Sequence, residues 1–194
     1  VFGFVRDMLL AALLGAGPVA DAFFVALRFP NLFRSLFAEG AFSAAFVPIF
    51  VDMLTRGGRT KAIVFAEQTL AVLTAALLAF VLLMEAAMPL AIVMLAPGFV
   101  DGPSFDLAVE FSRLTFPYLL FISLTSLQGG VLTALGRFAA PAATPILLNL
   151  SLITALLGTG PAMPTMGHAL AWGVVAAGIL QFLWLMGSCG REGV

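Results

Sequence analysis

The chain has 194 residues, 62% of them hydrophobic, with only 9 Lys and Arg and 10 Asp and Glu. Its mean hydropathy of +1.13 is far above that of a soluble domain, in which about half the residues are apolar and about a quarter are charged. The formal net charge of -1 excludes the basic surplus of nucleic-acid-binding proteins, and a single cysteine excludes a disulfide framework or a multi-cysteine metal site. The composition predicts an all-α integral membrane protein.

The first residues belong to an apolar run that has no visible start. The chain begins at Val1 without an initiator methionine, so we expect it to be a segment of a longer protein. Residues 1–14 lack the basic start and the small-residue cleavage site of a secretory signal. We interpret them as part of a first membrane helix.

Six stretches have the composition of membrane-spanning helices. A bilayer core about 30 Å thick is crossed by about 20 predominantly apolar residues, and such stretches lie here between charges, glycines and prolines. The predicted helices cover residues 1–15, 18–51, 62–88, 107–135, 141–157 and 168–186. The second contains Pro30, Gly40 and Pro48, which predict a bent or broken helix. The sequence therefore predicts a six-helix transmembrane bundle.

The connections between these helices differ in charge. Basic residues occur in the connections on one side, and they are Arg56, Arg59, Lys61, Arg137 and Arg191. On the other side, the connection from Pro97 to Asp106 contains acids but no base, and residues 158–167 carry no charge. By the positive-inside rule the basic connections face the cytoplasm. The amino terminus is therefore predicted to lie inside.

Six ionisable residues fall within the first two predicted helices. They are Arg6, Asp7, Asp21, Arg28, Arg34 and Glu39. Charges inside a bilayer are costly and usually face the bundle interior or an aqueous cavity. Asp21 and Arg28 are seven residues apart, which places them on nearly the same face of a helix. The group predicts a hydrophilic cavity in which guanidinium groups bind an anion such as a diphosphate, while structural ion pairing or snorkelling remains an alternative, above all for Arg28.

Other polar residues have simpler interpretations. Glu110 and Arg113, three residues apart, predict an ion pair on a helix surface. His168, at the start of the sixth helix, is interpreted as a solvated interfacial residue, and Asn149 as a hydrogen-bond donor between helices. Gly173 predicts a close helix contact. With no metal-binding His/Glu pair, phosphate-binding glycine-rich loop or Ser-His-Asp set, the sequence favours a transporter over an enzyme, with no cofactor and no metal.

Short motifs are spread over nearly the whole chain. They are GFVRD at 3–7, GAG at 15–17, DAFFVA at 21–26, PNLFR at 30–34, FAEGAFSAAFVP at 37–48, APGF at 96–99, TFPY at 115–118, GRFAAP at 136–141 and LLN at 147–149. Together they resemble the MurJ (MviN) lipid II flippases of the multidrug/oligosaccharidyl-lipid/polysaccharide exporter superfamily. The resemblance implies a bacterial inner-membrane protein of fourteen helices, of which this chain would supply the amino-terminal lobe of six.

The resemblance also implies a mechanism and roles for the charges. Members of the family have a cationic cavity between two lobes, open alternately to either side, that carries undecaprenyl-diphosphate-linked peptidoglycan precursor to the outer leaflet. Arg6 and Arg34 match cavity arginines that engage the diphosphate, and Arg28 lies where lysine is common. The acids would tune or gate the cavity, and they are Asp7, Asp21 and Glu39. Because an unpaired buried charge is costly, we expect Asp7 and Glu39 to reach an arginine of the neighbouring helix.

The implied partners are the lipid-linked precursor (lipid II), membrane lipids and a carboxy-terminal lobe of the same protein, but no nucleic acid. Two alternatives stay open. A related flippase or exporter could carry another lipid-linked oligosaccharide or amphiphile, although a drug exporter would be expected to have an acidic or aromatic cavity. An integral-membrane enzyme acting on polyprenyl phosphates would instead need acidic metal ligands or a catalytic histidine at the membrane surface.

Overall fold

The structure, a computed structural model, describes residues 2–35, 41–100 and 102–194. In this part of the chain the regular elements are helices. The α-helices are α1 (Phe2–Leu9), α2 (Pro18–Arg34), α3 (Ala41–Asp52), α4 (Arg59–Leu95), α5 (Ser104–Thr115), α6 (Tyr118–Ala134), α7 (Ala139–Thr154) and α8 (Met166–Arg191). Wider π-helical turns extend α1 to Leu14, α3 to Gly57 and α7 to Thr159.

Four helical segments are long and apolar enough to cross a membrane. They are Arg59–Leu95, Ser104–Ala134, Ala139–Ala162 and Met166–Arg191. They overlap the last four predicted helices, and each extends beyond the predicted range at one end or both. α4 has 37 residues and continues through Pro89, so at 1.5 Å per residue it measures about 55 Å, well over the thickness of a bilayer core. The chain is thus all-helical, with four candidate membrane spans in its described part.

The first two predicted helices correspond to shorter elements than these four. α1 and its π-helical turn have 8 and 5 residues, which at 1.5 Å each span about 20 Å. The predicted second helix, 18–51, is represented by α2 and α3, while residues 36–40 lie outside the described part. α2 itself continues through Pro30 up to Arg34.

The predicted fourth helix, 107–135, is interrupted once. α5 ends at Thr115 and α6 begins at Tyr118, with Pro117 at the junction. Proline has no N–H and its ring collides with the preceding turn, so it ends or kinks a helix at this point. The Phe116 amide still donates to the Ser112 carbonyl at 2.8 Å, which keeps the two helices nearly continuous.

The buried face of α2 is held by aromatic packing. The Phe29 and Phe33 rings lie edge-on to Phe116, at centroid distances of 6.4 and 6.0 Å, and Phe33 also meets Phe80 of α4 at 5.0 Å. Edge-to-face pairs of this kind contribute about 0.5–1.5 kcal/mol each beyond the burial of their area. This packing fixes the rotation of α2 and therefore the direction of its opposite face.

Close approach of α8 to its neighbours depends on glycine. A Cβ atom on Gly173 would lie 2.8 Å from the Cβ of Ala155, and one on Gly178 would lie 2.7 Å from Cδ2 of Tyr118. Both distances are shorter than carbon atoms tolerate. The close contact predicted at Gly173 is confirmed, and small residues serve here to bring helix backbones together, as is usual in membranes.

The basic connections meet at one end of the bundle. Glu192, just after α8, pairs with Arg137 through Oε1 and Nε at 2.9 Å, and its carbonyl accepts a hydrogen bond from Nη2 of Arg59. The turn before α4, the α6–α7 connection and the end of α8 are therefore side by side. This is the grouping that the charge pattern predicted.

Candidate functional site

α2 carries a polar stripe on the side opposite its aromatic packing. Its exposed residues include Asp21, Phe24, Arg28 and Asn31, which follow the spacing of one helix face. Residues between them are buried in the bundle, and they include Ala22, Phe23, Ala26 and Phe29. The charged stripe thus faces away from the apolar core. Within a bilayer, such a face is stable against water or protein but costly against lipid tails.

Asp21 and Arg28 share this stripe, as the seven-residue spacing predicted. Neither forms an ion pair with another residue in the described part of the chain. The Arg28 guanidinium therefore keeps its full set of donors for another group. Guanidinium stays charged and presents forked donors that match the oxygens of a phosphate.

Arg6 and Asp7 pair with each other rather than with a neighbouring helix. Asp7 Oδ1 lies 2.7 Å from Nη2 and 3.0 Å from Nε of Arg6, and the side chains are 26% and 62% exposed. Among the residues whose side chains the structure describes, Asp7 therefore pairs with Arg6 and not with an arginine of the next helix, contrary to the expectation. The long arginine side chain bends back to its own neighbour, which leaves the pair at the surface of the bundle.

Two predicted site residues are not described. Glu39 and the side chain of Arg34 lie outside the described part of the structure, although Arg34 is the last residue of α2. The predicted roles of both stay predictions. The roles predicted for Arg6, Asp7, Asp21 and Arg28 also concern a ligand, so the position of each residue alone does not test them.

The surroundings of His168 correct two predictions. His168 Nδ1 lies 2.8 Å from Oγ1 of Thr165, and its Nε2 lies 3.1 Å from Oε1 of Glu110. Its ring is also packed edge-on against Phe111, with centroids 4.9 Å apart, and only 13% of its side chain is exposed. His168 is therefore a packed residue linking α8 to α5, not a merely solvated one. With Glu110 engaged in this way, Arg113 instead donates to the Glu85 carbonyl at 3.3 Å.

The sequence did not reveal a polar cavity of about 500 Å³ between α2, α6, α7 and α8. The residues with polar side chains that line it are Asn31, Tyr118, Thr125, Ser126, Thr133, Thr144 and Gln181. Its apolar wall includes Ile122, Leu148 and Leu185. The available signal was the density of hydroxyl and amide residues in α6, where Ser, Thr and Gln occupy positions 123, 125, 126 and 128 of an otherwise apolar helix.

Proline in α7 shapes one wall of this cavity. Pro145 has no N–H, so the Pro141 carbonyl lacks its usual helical donor, and Oγ1 of Thr144 donates to that carbonyl at 2.9 Å. Nε2 of Gln181 then donates to the Thr144 carbonyl at 2.7 Å. Asn149 donates to the Pro145 carbonyl at 2.7 Å, within its own helix, so the predicted bond between helices is wrong.

The sequence matches one protein family over most of its length. A family model described as lipid II flippase MurJ matches residues 10–194. A probable lipid II flippase MurJ of Rhizobium tropici is 47% identical over 188 residues, covering 93% of this chain and 35% of the relative. The lipid II flippase MurJ of Burkholderia cenocepacia is 44% identical, covering 94% of this chain and 36% of the relative.

A solved structure shares the fold. The inward closed conformation of a lipid II flippase MurJ superimposes with a TM-score of 0.71 at 24% identity, covering 96% of this chain and 38% of that one. This chain spans about a third of the length of the curated relatives it matches. The family match over residues 10–194, together with the multi-pass helical fold, confirms the resemblance seen in the motifs: the chain belongs to the lipid II flippase MurJ family.

Proposed function

We propose that this chain is the amino-terminal lobe, with six membrane-spanning helices, of a fourteen-helix lipid II flippase. The whole protein would move undecaprenyl-diphosphate-linked peptidoglycan precursor from the inner to the outer leaflet of the bacterial inner membrane. Its amino terminus would lie in the cytoplasm. The relatives' names state the activity, and the carboxy-terminal lobe would supply the length that separates this chain from them.

The observation that supports this function best is the charged stripe of α2. Asp21 and Arg28 point away from an apolar bundle whose helices are long enough for a membrane. A second lobe facing this stripe would enclose a hydrophilic cavity instead of exposing charge to lipid. Alternating access then follows from rocking of the two lobes about a substrate held near the middle of the membrane.

The arginines would hold the diphosphate of the substrate. Arg6, Arg28 and Arg34 all lie in α1 and α2, and their charges would compensate the negative charge that a lipid diphosphate spreads over its non-bridging oxygens. Asp7, Asp21 and Glu39 would limit the net positive charge of the cavity and so allow the substrate to leave. Flipping breaks no covalent bond, so the chain needs no catalytic group for this task.

Arginine variants of the full-length protein test the proposal. In cells depleted of their own flippase, Arg34→Ala and Arg6→Ala are expected to abolish complementation at normal membrane abundance. Arg34→Lys keeps the charge but loses the planar fork, so function should fall although abundance does not. Arg56→Ala is the matched control. Arg56 is 83% exposed, and its ion-pair partner among the described residues is Asp52, one turn away at 2.7 Å. Full complementation by both Arg34→Ala and Arg6→Ala would contradict the proposed arginine site.

A further inference from the structure

α1 is only loosely attached to the rest of the bundle. None of its eight residues is buried, and it packs mainly on α7. Its connection to α2 is a wide π-helical turn, Leu10–Leu14, followed by Gly15 and Gly17, whose φ angles of +66° and +147° are ones that glycine adopts without strain. A segment with few buried contacts and a permissive connection needs little free energy to move.

The contact between α1 and α7 buries a polar atom that has no partner. Gly3 of α1 lies against the amide of Asn149, so that a Cβ atom on Gly3 would be 3.7 Å from Oδ1. This oxygen is shielded from solvent and has no hydrogen-bond partner among the described residues. Asn149 Nδ2 donates to the Pro145 carbonyl at 2.7 Å, which fixes the amide with Oδ1 toward α1. α1 is therefore seated on an unsatisfied acceptor.

The buried oxygen of Asn149 opposes this seat. An unpaired carbonyl oxygen inside a protein loses the hydrogen bonds that water would give it, and this loss disfavours the arrangement that buries it. Displacement of α1 from α7 would expose Oδ1 to the water of a hydrophilic cavity and restore those bonds. An apolar side chain at this position would have no such effect. Asn149 therefore weakens the docking of α1 instead of strengthening it.

We propose that Asn149 holds α1 in a balance between the docked position of this structure and a displaced position reached by rotation about Gly15 and Gly17. Arg6 lies in α1, one helical turn after Gly3, so it moves with the helix. The consequence for transport rests on the proposed function, in which Arg6 would accompany the diphosphate during part of its path. Asn149 acts through Arg6 as a positioning residue and does not itself touch the substrate.

Distances between two nitroxide labels on the full-length protein in nanodiscs test the proposal. The labels are attached at Phe4→Cys in α1 and Val72→Cys in α4, whose native side chains are both 70% exposed, in a Cys189→Ala background. We expect two distances, one that agrees with docked α1 and one for displaced α1. Asn149→Leu keeps the branched shape but has no acceptor, so it should raise the ratio of docked to displaced α1 about tenfold, or ~1.4 kcal/mol.

Two further variants control for packing. Asn149→Ala also lacks the oxygen and adds no volume, so its ratio should change in the same direction as that of Asn149→Leu. Ser151→Ala is the matched control, because Ser151 is a polar residue of the same helix that lines the groove between α7 and α8. Its ratio should stay that of the asparagine protein. A single docked distance in the asparagine protein, or a ratio that rises in neither Asn149 variant, would overturn the proposal.

The label distances separate this inference from the function on which its consequence rests. They report the position of α1 whether or not lipid II is moved, so the expected shift in a protein without translocation refutes the proposed function alone. If the protein translocates lipid II and Arg6→Ala stops it, while neither Asn149 variant raises the ratio, the docking balance alone is refuted. If both proposals hold, Asn149→Leu should slow translocation at normal abundance, because displaced α1 is then less populated.

Discussion

Arg28 is a charged residue on the outward face of a helix whose other face is packed among phenylalanines. Arg28 is exposed and pairs with no described carboxylate, so we expect that its charge does not stabilise the described bundle. This separates it from Arg137, whose pair with Glu192 joins two parts of the chain. We therefore expect Arg28 to matter for function and Arg137 to matter for stability.

Substitution of Arg28 tests this distinction. Arg28→Ala should lower the rate of lipid translocation by the full-length protein about tenfold, which corresponds to ~1.4 kcal/mol, without lowering its thermal stability. Arg28→Lys should stay close to wild type, because it keeps the positive charge, and the family resemblance implies that lysine is acceptable at this position. Arg137→Ala is the comparison, since it should lower stability and leave translocation near normal. A loss of stability in Arg28→Ala equal to that in Arg137→Ala would favour a structural role for Arg28.

His168 shows what a sequence cannot disclose at the level of single residues. Its partner Glu110 lies 58 positions away, and the two meet only because α5 and α8 pack side by side. The spacing of Glu110 and Arg113 predicted a local pair instead, and tertiary contact overrode that local preference. The same limit applies to Asn149, whose side chain donates to the Pro145 carbonyl of its own helix and not to a neighbouring helix.

At the level of helices, α8 packs closely on its neighbour through Gly173, and two glycine variants of α8 test this contact. Gly173→Ala would place a methyl group 2.8 Å from the Cβ of Ala155, which cannot rotate away. Overpacking of this kind costs about 1–3 kcal/mol, so the melting temperature of the purified protein in detergent should fall. Gly187→Ala, in the same helix, meets no atom within 4 Å and should be neutral or slightly stabilising, because alanine favours helix more than glycine does.

Equal melting temperatures for the two glycine variants would show that α7 and α8 do not meet as closely as described. A fall for both would instead indicate that α8 tolerates no added volume along its length. The contrast between them is therefore more informative than either variant alone.

Composition predicted best the helices that are both long and apolar. The last four predicted spans correspond to the four long apolar segments, because about 20 apolar residues have few other stable arrangements in a bilayer. The break at Pro117 and the extension of α4 through Pro89 were harder, since a proline can end, kink or simply be accommodated in a helix. The polar cavity could not be predicted because it exists only where four helices meet.

For the whole molecule, the basic connections lie together at one end of the bundle, and this supports the predicted orientation in the membrane. The contacts of Glu192 with Arg59 and Arg137 put three connections on one side. The exposed connection between α7 and α8, which includes Ala162, follows at the far end of α7. With the positive-inside rule, the basic end would face the cytoplasm.

Cysteine labelling in spheroplasts checks this orientation. In a full-length Cys189→Ala background, a membrane-impermeant thiol reagent should label Ala162→Cys from outside but reach Thr60→Cys only after the membrane is opened. Both positions are exposed in the structure, so access depends on the side of the membrane and not on burial. Labelling of Thr60→Cys in intact spheroplasts, with Ala162→Cys protected, would reverse the topology.

We propose that this lobe belongs to a protein that carries a lipid-linked diphosphate across the membrane along its arginine-lined face. The most direct measurement is the rate at which the full-length protein, in proteoliposomes, moves lipid II between leaflets, followed by reaction of the headgroup with a membrane-impermeant reagent. We predict translocation well above that of protein-free vesicles, and its near-complete loss in Arg34→Ala with the protein still folded. Translocation at the protein-free rate by the folded wild type would contradict the proposed function. Translocation at the wild-type rate by Arg34→Ala would contradict the role of this arginine.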